Sequence, residues 1–183
     1  MSDGPTDAEI IAKVLGGDTD LFGVLVERYS DEFARYAKYM TGSEDDAADA
    51  IQESLVRAYR SLRRCQDRMN FKGWLFRIVS NQCKTHLTRR RRRSTEPLSD
   101  EAISVPSPAD PVGDAETADV RRKVHEALQQ LPTEQREVLV LKYVEGLSLP
   151  EMAEILSAGV SALKMRLLRA RRELLSKLEG VAL

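Results

Sequence analysis

Apolar side chains recur every three to four positions along most of this 183-residue chain, the spacing of one buried face on an α-helix. Asp7 to Leu15 makes a first short helix, with Thr6 placed as its N-cap and Gly16-Gly17 as its stop. From Asp20, the positions Leu21, Phe22, Leu25, Val26, Tyr29, Phe33, Tyr36, Ala37 and Met40 hold one stripe for about five turns, which Gly42 ends. Ser43, with Asp46 three residues on, begins a third helix, whose expected inner face is Ile51, Leu55, Ala58 and Leu62. Asp49, Gln52, Glu53, Arg57 and Arg60 fall on its other side. "RRCQDRMNFKG" reads as a loop. A fourth helix is expected from near Trp74 through Phe76, Ile78, Val79 and Leu87.

The same period returns near the other end. Val120, Val124, Leu128 and Leu131 form one stripe, closed by Pro132. Thr133 is the expected N-cap of a helix reaching to about Val144. Within it, "EVLVLKYV" is the nearest thing to a strand, but it stands between helical segments. Ser148 and Glu151 form a capping box, and Pro150 suits a first turn. "PEMAEIL" is then a short helix and "SAGV" a tight turn. The last helix runs from Ser161 to about Leu178, with Leu163, Leu167, Ala170, Leu174 and Leu178 inward. The pattern predicts an all-α fold of two small helical domains, residues 1–93 and 120–183.

Charge explains what lies between them. The net charge of −1 conceals balances of +3 for residues 1–93, −7 for 94–119 and +3 for 120–183. Five consecutive arginines, Arg89 to Arg93, are followed by a stretch with seven acidic groups, four prolines and no Lys or Arg. That composition predicts an extended, flexible acidic linker over residues 94–119. Fully stretched, it reaches roughly 80 Å. Two basic bodies on an acidic strap fit a polyanionic partner, which the overall charge alone argues against.

Other classes drop out. No apolar run approaches the ~20 residues that span a bilayer. The N-terminus is polar and acidic, with no signal peptide, so a cytoplasmic location is expected. Cys65 and Cys83 lack metal-ligand spacing and read as reduced thiols. There is no phosphate-binding glycine loop, zinc-binding histidine pair or nucleophile elbow, and His86 and His125 are isolated. No catalytic residue, metal or cofactor is expected, and no enzymatic activity.

Two segments carry the chemistry. "LSLPEMAEILSAGVSALKMRLLRARREL" has the order of a helix-turn-helix. Met152, Ala153, Ile155 and Leu156 lock its first helix onto its second, and Ala153 is small enough to let the axes approach. Opposite the leucine face of the second helix lie Ser161, Met165, Leu168, Arg169 and Arg172, with Lys164 beside them. Arg and Lys pair with phosphates or guanine edges, and Met and Leu touch thymine methyls. A solvated helix closing a bundle explains the arginines too, but leaves Met165 and Leu168 on the outer face without a reason. In the second segment, "FKGWLFRIVSNQCKTHLTRRRRR", aromatics precede a helix that offers Asn81, Lys84, Thr85, His86 and Arg89. Such groups suit unpaired bases and a sugar-phosphate backbone. Trp74 and Phe76 at helical spacing fit a core equally well, and the arginines also fit a solvated tail.

Together these segments closely resemble the bacterial extracytoplasmic-function (ECF) sigma factors of the sigma-70 family, over about residues 10–93 and 120–179. "DAADAIQESLVRAYRSL" resembles their second conserved region, which docks on core RNA polymerase; this implies docking by Asp49, Gln52 and Glu53. "FKGWLFRIVSNQCKTHLTRRRRR" resembles their promoter-melting, −10-reading segment. That implies a flipped non-template base held in the loop from Arg64 to Lys72 by Asn70 and Phe71, with Asn81, Lys84, Thr85, His86 and Arg89 along the strand. "LQQLPTEQREVLVLKYVEGLSLPEMAEILSAGVSALKMRLLRARREL" resembles their fourth region, which implies duplex −35 reading by Ser161, Lys164, Met165, Leu168, Arg169 and Arg172. The family often has glycine and then serine at the helix-turn-helix corner, where Ser157 and Gly159 stand here. A threonine common near the start of the reading helix is Ala162. The resemblance further implies a linker threading polymerase channels and a separate anti-sigma factor. Two rival readings remain: a stand-alone helix-turn-helix repressor or activator, and a helical adaptor for protein partners only.

Overall fold

The computed structural model describes residues 4–94 and 115–181. Among them there are eight α-helices and no strand: α1 (Asp7–Leu15), α2 (Leu21–Thr41), α3 (Glu44–Ser61), α4 (Phe71–Ser94), α5 (Ala115–Gln129), α6 (Thr133–Leu139), α7 (Leu149–Leu156) and α8 (Val160–Val181). Residues 95–114, most of the expected linker, lie outside the described residues.

The helix boundaries follow local chemistry. Thr6 and Glu9 form a complete capping box on α1. Gly42 ends α2 in the left-handed conformation, at φ 73°. Ser43 caps α3 through the Asp46 N–H. Ser148 and Glu151 cap α7 reciprocally, with Pro150 in the first turn.

Four expectations need correction. First, α4 begins at Phe71, three residues before Trp74, because the Asn70 side-chain oxygen accepts the Gly73 N–H at 3.2 Å and caps the extra turn. The preceding "loop" winds into two short 3₁₀ turns, Leu62–Arg64 and Arg68–Asn70. Second, the buried line of α3 is Ala47, Ala50, Ser54 and Ala58, with Ile51 and Leu55 half-buried. Small side chains let α3 lie close between α2 and α4, so the innermost stripe is the least hydrophobic one. Third, Thr133 is the first residue of α6 rather than its cap; Pro132 stands at the cap and makes no side-chain bond. Fourth, Val120 is exposed, not part of the α5 stripe. The strand-like "EVLVLKYV" is helical throughout and passes from α6 into a π-helical segment, Val140–Val144.

The N-terminal half packs α2, α3 and α4 around an aromatic centre. Phe76 meets Phe33 edge-on at 4.9 Å and Tyr36 at 5.4 Å between ring centroids. In the C-terminal half, α6 and α7 pack on α8 through Val138, Met152, Ile155, Leu163 and Ala170, all buried. The two halves also pack on each other, α2 against α5 and α6, and α4 against α7, so one hydrophobic core runs through both.

Candidate nucleic-acid interface

On α3, Asp49, Gln52 and Glu53 are exposed together on the face away from the alanine line. Glu53 is also tied to α4. It accepts from Gln82 Nε2 at 2.8 Å and lies 3.4 Å from His86 Nε2 and 3.5 Å from Arg89 Nη1. Gln82, itself buried, accepts from Arg57 at 3.0 Å. The expected docking face and the expected −10 face thus share one carboxylate.

Along α4, Asn81 and Arg89 are exposed, while Thr85, half-buried, turns its hydroxyl to the Asn81 carbonyl. The Nε2 of His86 is buried without a hydrogen-bond partner, since Glu53 stands at ion-pair distance only. Lys84 reaches out of α4 to Glu137, at 3.0 Å from Oε1 and 3.3 Å from Oε2. Asn70 is pinned at both ends: its oxygen caps α4, and its Nδ2 donates to Glu154 at 2.5 Å. Gly73 makes that possible, because a Cβ there would stand 2.6 Å from the Asn70 Oδ1.

Phe71 does not fit the expected role. It is 0% exposed, with its ring 6.2 Å from Tyr29 and 5.6 Å from Trp74. No base can stack on it in this form. An aromatic at the start of a helix beside an unfilled aromatic cluster is drawn into the core, as its apolar area demands. The neighbouring Met69 is exposed instead.

On α8, Ser161, Lys164, Met165, Leu168, Arg169 and Arg172 are all exposed. Met165 is 51% and Leu168 42% exposed, while Leu163 and Ala170 on the opposite side are fully buried. The corner before it turns at Ser157, φ 50°, the single non-glycine residue with positive φ among those described. Gly159, two residues on, has ordinary backbone and open space around it.

Pattern reading missed the charged groups between the halves. Glu137 is 1% exposed. It accepts from Ser80 Oγ and, at 3.4 Å, from Tyr36 Oη, in addition to Lys84. Burial, then Glu137, holds the Tyr36 phenol well above its usual range. The same two causes push the Cys83 thiol up to about 12, and burial raises that of Cys65. Both thiols are free and poorly nucleophilic. Arg136 is buried without a carboxylate. It donates to the Leu128, Gln129 and Met40 carbonyls and to Gln129 Oε1, and burial lowers its pKa to about 10. One signal was available in the sequence: Glu137 shares a helical face with Val138 and Leu141, where a carboxylate is costly unless something meets it. No group of His, Cys, Asp and Glu among the described residues is arranged to hold a metal ion. No helix among them is long and apolar enough to cross a membrane.

A helical body with a polar face on α3 and a basic, amide-bearing α4, packed beside a helix-turn-helix, defines a two-module transcription protein. The Sigma-70 region 2 profile matches residues 25–93 and the Sigma-70 region 4 profile residues 121–174. The chain belongs to the sigma-70 family, in its ECF group. It is 30% identical to the ECF RNA polymerase sigma-E factor of Haemophilus influenzae, over 98% of each chain. It is 33% identical to the ECF RNA polymerase sigma factor SigM of Mycobacterium tuberculosis, over 92% of this chain and 83% of that one. Among solved structures, CnrH in complex with the cytosolic domain of CnrY superposes with a TM-score of 0.70 at 28% identity, over 95% of this chain and 97% of that one. RpoE of Bartonella quintana, solved with the anti-sigma factor NepR, shares the fold, with a TM-score of 0.69 at 23% identity over 86% of this chain and 96% of that one. The protein is an alternative sigma factor that directs promoter-specific transcription. The stand-alone repressor reading falls, because it leaves the region 2 match unexplained.

Proposed function

We propose a division of labour along the chain. Residues 1–93 form region 2, which docks on core RNA polymerase through Asp49, Gln52 and Glu53. It holds the melted −10 strand with Asn70, Asn81, Lys84, Thr85, His86 and Arg89. Residues 120–183 form region 4, which reads the duplex −35 element with Ser161, Lys164, Met165, Leu168, Arg169 and Arg172. Residues 94–119 join the two, with Ser94 closing α4 and residues 115–119 already in α5. The protein itself performs no catalysis and uses no cofactor; the polymerase supplies the chemistry, in the cytoplasm. A separate anti-sigma factor regulates it, a reading supported by the complexes in which CnrH and RpoE were solved.

The supporting observation is the outer face of α8. Its cations and two large apolar side chains stand together in solvent, a combination that suits phosphates and thymine methyls. Purified core polymerase with a promoter library tests the reading. Initiation from a defined subset of promoters, dependent on this chain, is the expected result. Initiation that is the same without the chain overturns it. Asp49→Lys is the cleaner docking test, since Glu53 also supports α4; it should weaken holoenzyme formation without loss of helicity.

A further inference from the structure

A cavity of about 590 Å³ opens between the C-terminal half of α3, the 3₁₀ turn that follows it and α4. That is the size of a small-molecule site. Three arginines line it: Arg57 and Arg60 from α3, and Arg64 from the turn. They stand at i, i+3 and i+7, so they share one face, and all three are exposed. Arg57 donates to the Gln82 amide oxygen. Among the described residues, no carboxylate stands within ion-pair distance of any of the three. Other cations of this half are matched: Arg28 by Asp7, Lys38 by Glu44, Lys72 by Glu32 and Arg90 by Asp46.

Like charges at this spacing repel, a cost that a bound anion removes. Guanidinium groups suit phosphate in particular, because each planar fork can hold two of its oxygens at once. One carboxylate, Glu53, also lines the cavity, but Gln82 and Arg89 hold it towards α4. A pyrophosphate alone would leave most of the space empty. The remaining wall carries Val56, 47% exposed, and the Gln52 amide. An apolar side chain packs on the face of a base, and the paired donor and acceptor of an amide match a base edge.

We propose that this cavity binds a nucleoside di- or triphosphate, with Arg57, Arg60 and Arg64 on the phosphates and Val56 and Gln52 on the base. Gln52 and Glu53 also belong to the face assigned above to polymerase docking, and the inference rests on that assignment. A chain that holds the nucleotide cannot seat this face on the polymerase, so the nucleotide is an inhibitor of holoenzyme formation. The same overlap argues against a DNA strand as the occupant, since docked polymerase covers the face when promoter DNA is bound.

The test titrates the full chain with ADP and with GDP by calorimetry and takes the tighter of the two forward. That nucleotide should bind, and its nucleoside and pyrophosphate should each bind more weakly. Arg60→Gln with Arg64→Gln should weaken it roughly ten-fold, since two exposed charge contacts are lost; circular dichroism verifies that the helices remain. Arg171→Gln with Lys177→Gln removes the same charge from α8 and should leave nucleotide binding as it is. At a nucleotide concentration about ten times its Kd, the affinity of core polymerase for the chain should fall about eleven-fold for the parent and only about two-fold for the Arg60, Arg64 variant. No binding at millimolar nucleotide overturns the proposal, as does binding that the Arg60, Arg64 variant keeps in full. Pyrophosphate or the nucleoside binding as tightly as the nucleotide overturns it too. Unchanged core affinity with the nucleotide bound overturns it where Asp49→Lys, a residue outside the cavity, does weaken holoenzyme formation. Where Asp49→Lys has no effect either, the docking assignment is at fault, and the inhibition falls with it.

Discussion

Phe71 and Met165 are two large apolar side chains with opposite fates. Phe71 is enclosed by Tyr29 and Trp74. Phe71→Ala should cost about 3–5 kcal/mol, the loss of a buried ring together with the cavity it leaves. Urea unfolding checks this, and any defect in promoter opening should follow the lost stability. Met165 stands half in solvent. Met165→Ala should shift stability by less than about 0.5 kcal/mol and alter −35 selection, most visibly at a thymine. Thermal unfolding and selection from a −35 library measure the two effects. A large stability loss with unchanged selection would place Met165 in the core instead.

At the scale of elements, the helix-turn-helix corner shows how one position sets the angle of a reading helix. Ser157 closes α7 in the left-handed conformation, where its N–H reaches the Ala153 carbonyl. A Cβ in that conformation costs on the order of 1 kcal/mol, and glycine carries no such penalty. Ser157→Gly should therefore raise the unfolding free energy by up to about 1 kcal/mol, less what glycine loses in chain entropy. Chemical denaturation measures it. The glycine that stands two residues later does not relieve the turn, because its own φ is not positive. The π-helical end of α6 acts on the same scale. The extra residue in its turn sends the Glu145 N–H back to the Val140 carbonyl, just where Glu145 must reach Arg35.

For the whole molecule, the seam between the halves carries a pH dependence. His125 of α5 is buried against Tyr39 of α2, with ring centroids 5.5 Å apart. Burial lowers its pKa first; Arg136 of α6 and Lys38 of α2 lower it further, and Glu126 opposes them. Above the ordinary histidine value of 6.5 both the folded and the unfolded chain hold it neutral. As pH falls through that value the unfolded chain takes the proton first, so stability declines until the folded form is protonated too. The melting temperature should drop between about pH 7.5 and pH 5.5, and His125→Phe should flatten that part of the drop. An unchanged slope would assign the dependence to other groups.

Helices, the caps of α1, α3 and α7, and the exposed face of α8 were legible in the sequence, because each depends on neighbours three or four residues away. The periodic leucines of α8 leave only one side for Met165 and Arg169, whatever packs around them. The sigma-factor motifs were legible for the same reason: each is a short run on one or two helices. What required the tertiary structure depends on groups far apart in the chain. The burial of Phe71 turns on Tyr29, and the alanine line of α3 turns on how closely α2 and α4 approach. The fate of Glu137 turns on Tyr36 and Ser80, from the other half of the molecule. A helical wheel places a side chain on a face but cannot say what stands opposite. For a buried carboxylate that opposing group decides everything, since its desolvation is offset only by specific donors arriving from elsewhere in the fold.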